Sequence, residues 1–303
     1  MWRFALALLV VAVASPAVQD CGECHAREAR SWRESAHAHA LKPPEESAFF
    51  SSLPPGPIGE ARGGYLLEFA PAGTSFRVTG TRGSDSASAM IAWVFGAGRR
   101  AETPVAAGAE RLELRISYYL EDARYDLTLG HRRGVSASAK ESIGIAQSAN
   151  AIRKCFGCHS TGGMPGDKNF VPGVQCAACH GDGIRPANIS AGHHGPMIRP
   201  GMAVCTKCHR ADPEGNPGDS INVRYQAVRL LRSRCYKAGA LTCVTCHNPH
   251  ENARSDWQWY RGRCLSCHPD QTSKGNCLEC HMPRASITPH LSFTDHYIRL
   301  RVN

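Results

Sequence analysis

Long apolar runs are almost missing from this 303-residue chain. The one that stands out, Leu6 to Ala14, is far too short to span a bilayer. No cysteine occupies a lipoprotein position and no basic motif of a nucleic-acid reader is present, so neither a lipid anchor nor a nucleic-acid partner is expected. Charged residues make up 20%, which with a spread of Leu, Val and Ile argues against disorder. The length suits one large or two ordinary domains. Solitary cysteines are scarce too. Of 15, only Cys235 stands alone; the other fourteen form seven C-x-x-C pairs, each followed at once by His.

In order these are Cys21, Cys24 and His25; Cys155, Cys158 and His159; Cys176, Cys179 and His180; and Cys205, Cys208 and His209. Then come Cys243, Cys246 and His247; Cys264, Cys267 and His268; and Cys277, Cys280 and His281. Two thiols three residues apart can add to the two vinyl groups on one edge of a haem, and the next residue then offers an imidazole to the iron. Disulfides would not require His after every pair. Zinc sites combine two pairs per metal and place no fixed demand on the following residue. A thioredoxin-like motif would occur once, not seven times. The pattern predicts seven covalently bound haem c groups.

Sixth ligands can be counted. Eight histidines lie outside the motifs: His37, His39, His131, His193, His194, His250, His290 and His296. Seven bis-His haems would need seven of them, and all but His131, which also reads as a loop residue, are taken as distal candidates. Bis-His iron has no open position, which suits electron transfer. No C-x-x-C-K motif occurs. Residues 136–303 carry 20 basic and 11 acidic side chains. That excess suits pairing with haem propionates.

Met1 to Ala17 reads as a secretory signal, with Arg3, an apolar run from Phe4 to Val13 and small residues before a cleavage point at Ala14 or Ala17. A periplasmic or extracellular chain without a membrane span is expected after cleavage. Residues 18–57 read as a first-haem segment and linker, with Pro43, Pro44, Pro54, Pro55 and Pro57 marking loop. Alternating apolar and polar residues at 65–69, 75–79, 111–118 and 124–129 predict a small antiparallel β-rich insert without cofactor over 58–135, with 90–95 as a buried strand. Residues 138–154 and 220–237 read as helices, the second with Ile221, Tyr225, Val228, Leu231 and Cys235 on one face. Residues 136–303 form a six-haem domain of short helices and loops packed around haems. Cys235 reads either as a small buried apolar side chain or as a reactive thiol beside Tyr236.

Several stretches are shared with a known group. They are Cys21-x-x-Cys-His25 followed by Trp32, Ser35 and His37-Ala38; Gly173-Val-Gln-Cys176-Ala-Ala-Cys-His-Gly181; Leu241-Thr-Cys243-Val-Thr-Cys-His-Asn-Pro-His250; and Cys280-His-Met-Pro283 with Phe293-Thr-Asp-His296-Tyr-Ile-Arg299. In these the chain resembles the multihaem c-type cytochromes related to hydroxylamine oxidoreductase and its tetrahaem electron acceptor. The resemblance implies that His37, His250, His290 and His296 are distal ligands, each serving a haem other than its sequence neighbour. Members of that group often carry a His soon after the Cys-His-Gly element. Here Asp182-Gly-Ile-Arg185-Pro intervenes, and His193 and His194 are nearest.

The expected function is single-electron transfer along mostly bis-His haems between redox partner proteins. The alternative is a multihaem reductase or oxidase of a small nitrogen or sulfur compound at one five-coordinate haem, with Tyr236, Cys235 or His131 near it. A third reading is a subunit of an oligomer or filament assembled through the sheet.

Overall fold

The computed structural model describes residues 21–60, 63–106, 110–181, 201–239, 241–271 and 275–300. The signal segment expected at 1–17 lies outside them, as do His193 and His194. Among the described residues no helix is long and apolar enough to cross a membrane.

A β unit follows the first motif. One antiparallel sheet takes β1 (Leu41–Lys42), β6 (Trp93–Phe95), β7 (Ala101–Ala106), β8 (Leu112–Leu114) and β11 (Gly144–Ala146) in that order. Off β7 it carries β9 (Ile116–Tyr119), which pairs with β10 (Arg124–Leu127). A second sheet is the meander β2 (Ile58–Gly59), β3 (Leu66–Ala72), β4 (Ser75–Arg82) and β5 (Asp85–Ile91). The period-two pattern buries one face of each strand: Leu67, Val78, Ala89 and Ile91 meet Val94, Leu112, Leu114 and Tyr118 in one core. The short helix Ala139–Ile143 lies close over β4 at Gly80, where an added Cβ would come 2.5 Å from the Ser142 hydroxyl.

Several expectations are corrected here. The stretch 43–57 is not only linker. Ser47 caps a helix, Ala48–Ser51, by accepting from the Phe50 amide, and Phe49 and Phe50 enter the core. Glu102, fully buried, accepts from the Phe49 amide at 2.8 Å and pairs with Lys42 at 2.6 Å, so this helix is tied to β7. The run 90–95 is two strands in two sheets, β5 and β6, with Met90 exposed. The expected helix over 138–154 breaks at Gly144, which enters β11, and a second helix, Ala149–His159, starts from a Ser148 cap. The expected helix over 220–237 is three short pieces, Ser220–Arg224, Gln226–Leu230 and Arg234–Lys237. The sheet also borrows β1 and β11 from outside 58–135.

Helix Ala149–His159 joins the sheets to the motif-rich half. Ile152 and Phe156, four apart and therefore on one helix face, pack fully buried on Leu41, Phe95 and Val105. Beyond it, after the antiparallel pair β12 (Ser160–Thr161) and β13 (Val171–Pro172), the chain runs in short helices and loops. The closing hairpin, β14 (Arg284–Thr288) and β15 (Leu291–Thr294), leads into a tail held by Asp295. That carboxylate, 1% exposed, takes a forked pair from Arg229 at 2.8 and 2.6 Å, and Arg299 reaches it at 3.0 Å.

Candidate haem-binding sites

Each motif occupies about one helical turn. The His25, His247 and His268 amides donate to the carbonyls of Cys21, Cys243 and Cys264, four residues back, at 2.8, 3.0 and 2.9 Å. Motif three fills the helix Cys176–His180, motif four closes Met202–His209 and motif seven fills Cys277–His281. In such a turn positions i, i+3 and i+4 share a face, so both thiols and the imidazole of one motif point the same way. None of the 15 cysteines forms a disulfide. The helices at 176–180, 202–209, 243–246, 257–265 and 277–281 bury no residue of their own, so apolar polypeptide core does not fix them in place.

The motifs form one connected cluster. Cys21 meets Cys176, Cys158 meets Cys208, Cys205 meets Cys243, and Cys264 meets Cys277. Cys179 feels Cys205, and Cys246 feels Cys267. The order in space is thus one, three, four, five, six, seven, with motif two beside motif four.

Among the described residues three motif imidazoles face a histidine from another part of the chain. His209 faces His37 with ring centroids 6.2 Å apart, His180 faces His250 at 6.1 Å, and His247 faces His296 at 6.1 Å. Two metal–nitrogen bonds of about 2 Å, as imidazole makes to zinc, plus the step from each nitrogen to its ring centre, put an axial pair roughly 6 Å apart. The spacing therefore fits one iron between each pair.

Hydrogen bonds orient these rings. The Nδ1–H of His37 donates to the Pro249 carbonyl at 3.1 Å, that of His209 to the Gln226 side-chain oxygen at 3.1 Å, and that of His296 to the Thr294 carbonyl at 2.9 Å. His159 and His281 donate likewise to the Ala40 and Arg299 carbonyls at 2.9 and 2.7 Å, and Tyr260 stands 3.5 Å from Nδ1 of His247. With Nδ1 engaged, Nε2 is the nitrogen left for a metal, a common arrangement of metal-binding histidines. Burial pushes His37, His159, His247 and His250 below the ordinary imidazole range, and His296 down to about 4. All five are thereby held in the neutral form that ligation requires.

Other candidates lie elsewhere. His39 turns Nε2 to the Arg33 carbonyl at 2.8 Å. His290 stands between Asp122 and Asp126, and His131 is buried with Nε2 3.4 Å from Glu113. Cys235 lies within electrostatic reach of Cys264. Sequence reasoning missed Gln226, Tyr260 and the carbonyls behind the rings. A carbonyl acceptor has no residue signature, and nothing in the sequence couples Gln226 to His209.

Fold and sites define the class: the chain has the fold of a multihaem c-type cytochrome, short helices around C-x-x-C-H turns with small antiparallel sheets. The family described as cytochrome c554 and c-prime matches residues 20–51 and 125–181, which supports haem c as the cofactor. Among solved structures the chain is similar to the Outer Cell Wall Cytochrome OcwA, at a TM-score of 0.51 and 13% identity, over 93% of this chain and 78% of that one. No curated protein matches it.

Proposed function

We propose that this chain is an exported heptahaem c-type cytochrome that carries single electrons between redox partner proteins in the periplasm or outside the cell. The spacing of the three imidazole pairs, 6.1–6.2 Å, carries the reading. The name of the outer cell wall cytochrome to which the chain is similar supports a cell-envelope location. When bound, haem c supplies reversible one-electron chemistry at iron. The chain's own residues do the rest. Fourteen cysteines fix the rings to one-turn helices, seven motif histidines are the proximal ligands, and His37, His250 and His296 close the opposite side of three sites. His193 and His194 are proposed for further sites. The thiol contacts that link the motifs, six in series with motif two branching at motif four, support transfer along the cluster.

One observation favours a second reading. His39 and His290 direct ring nitrogens at other protein groups, which lowers the number of imidazoles ready to act as sixth ligands. A five-coordinate haem, and with it reduction or oxidation of a small nitrogen or sulfur compound, would follow.

Electron paramagnetic resonance of the oxidised protein, with haem quantified on the same sample, tests both. Seven haems per chain and low-spin signals alone support the carrier. A high-spin component near one per chain supports the enzyme, and fewer haems than motifs overturns the heptahaem assignment.

A further inference from the structure

The turn of the closing hairpin reaches back to the β unit. His290, between β14 and β15, sets Nδ1 2.6 Å from Asp122 and Nε2 2.8 Å from Asp126. Both carboxylates come from the β9–β10 hairpin. Tyr119 on β9 packs its ring on the same imidazole, centroids 5.2 Å apart. A second bridge runs beside the first: Arg284 of β14 meets Glu121 at 3.0 Å, and Arg100 holds Glu121 from the other side. Each ring nitrogen thus stands at hydrogen-bond distance from a carboxylate oxygen, and neither is left for a metal.

We propose that His290 is not an iron ligand but a clasp that fastens the C-terminal tail to the β9–β10 hairpin, and that through this clasp the sheet positions His296 over His247. This rests on the proposed function, in which His296 is the ligand opposite His247. His296 lies two residues past the end of β15. Its ring is aimed from the backbone, through the Thr294 carbonyl, and its neighbour Asp295 anchors to Arg229. The clasp fixes one end of the hairpin and the Asp295 anchor fixes the other. The β unit thus acts on a site it does not touch, and His290 is a positioning residue.

Arginine separates the two roles, because its guanidinium can bridge both carboxylates but cannot lose a proton to bind iron. H290R, H290N and the double variant D122N/D126N are made in the full haem-loaded protein. Three readouts follow: haem per chain, low-spin and high-spin signals, and the rate at which a protease cuts within residues 284–300. The clasp predicts that H290R behaves as wild type. It also predicts that H290N and D122N/D126N both keep every haem and every low-spin site. In both, tail cleavage accelerates roughly tenfold, the scale of losing charge-assisted hydrogen bonds, and the g-values of one low-spin signal shift alike. A high-spin signal in H290R and H290N, absent from D122N/D126N, would make His290 a ligand and overturn the clasp. Unchanged cleavage in both H290N and D122N/D126N would overturn it equally. The cleavage readout needs no haem assignment, so failure of the clasp is distinguishable from failure of the heptahaem reading.

Discussion

His180 and His250 face each other with ring planes 7° apart and centroids 6.1 Å apart, although one sits in the third motif and the other just past the fifth. His250 belongs to the turn after His247, so in the proposed function one short segment, Cys243 to His250, would supply the proximal imidazole of one site and the distal imidazole of another. His37 adds to the same junction by donating to the Pro249 carbonyl at 3.1 Å.

Removing His250 should therefore open one site without releasing its cofactor. In the proposed function Cys176 and Cys179 would still hold the ring covalently, so H250A should keep its full haem complement while one iron per chain turns high-spin. H250M restores six-coordination, and a thioether in place of imidazole raises that site's reduction potential. Resonance spectra and a redox titration check both, and low-spin signals unchanged in H250A would dissociate His250 from His180.

Gly173 governs a second pairing. Its φ is +76°, and an added Cβ would collide with the Ala38 carbonyl. The next residue, Val174, donates to the His37 carbonyl at 2.8 Å and accepts from Trp32 Nε1 at 2.9 Å. This crossing binds the first motif's segment to the third and presents His37 to His209. G173A should cost about 1–3 kcal/mol in backbone strain alone, read as a lower melting temperature. It should also shift the low-spin signal of the His37–His209 site while the His247–His296 signal stays put.

How far the sequence reached follows from which physics each feature obeys. The motif turns were legible because two thiols and an imidazole must fall at i, i+3 and i+4 whatever the surroundings. The alternation at 66–72 and 75–82 was legible because one face of each strand is buried. The break between Ile91 and Trp93 was not, since an unbroken apolar run fits one strand or two. The helix of Phe49 and Phe50 was hidden by flanking prolines, and its anchor, Glu102, lies far along the chain. By residue type and position in the tail, His290 and His296 are alike. Only distant Asp122 and Asp126 distinguish them.

Gln226 should tune the site of His209. Its side-chain oxygen accepts the Nδ1–H at 3.1 Å, which makes the imidazole a more basic ligand and favours the oxidised metal. Q226L removes the acceptor. The potential of that site should rise by about 60 mV, a tenfold change in relative affinity at one electron. Haem content should not change. An unaltered potential in every resolved transition would show that the contact does not orient the ligand.

The tail's hold at Asp295 makes stability depend on acid. Burial alone would raise this carboxyl, but hydrogen bonds from Arg229 and the Tyr297 amide, with the charges of Arg229 and Arg299, outweigh it and hold the group below the ordinary carboxylate range. A carboxyl depressed on folding stabilises above its unfolded value, about 3.9, and that contribution is lost as pH falls through the lower folded value. Melting temperature should therefore drop on acidification below about pH 4. R229A removes the main partner of the buried carboxylate and leaves it Arg299 and the Tyr297 amide, so the loss should lie at or below about 3–5 kcal/mol, the usual figure when one partner of a buried pair is removed. In that variant burial is less opposed, the carboxyl moves up, and acid neutralises what is now a penalty. The variant should be less stable than wild type at neutral pH and should lose less on acidification. Thermal unfolding from pH 3 to 7 in both proteins reads the difference, and parallel curves would mean that Arg229 is not what holds Asp295 ionised.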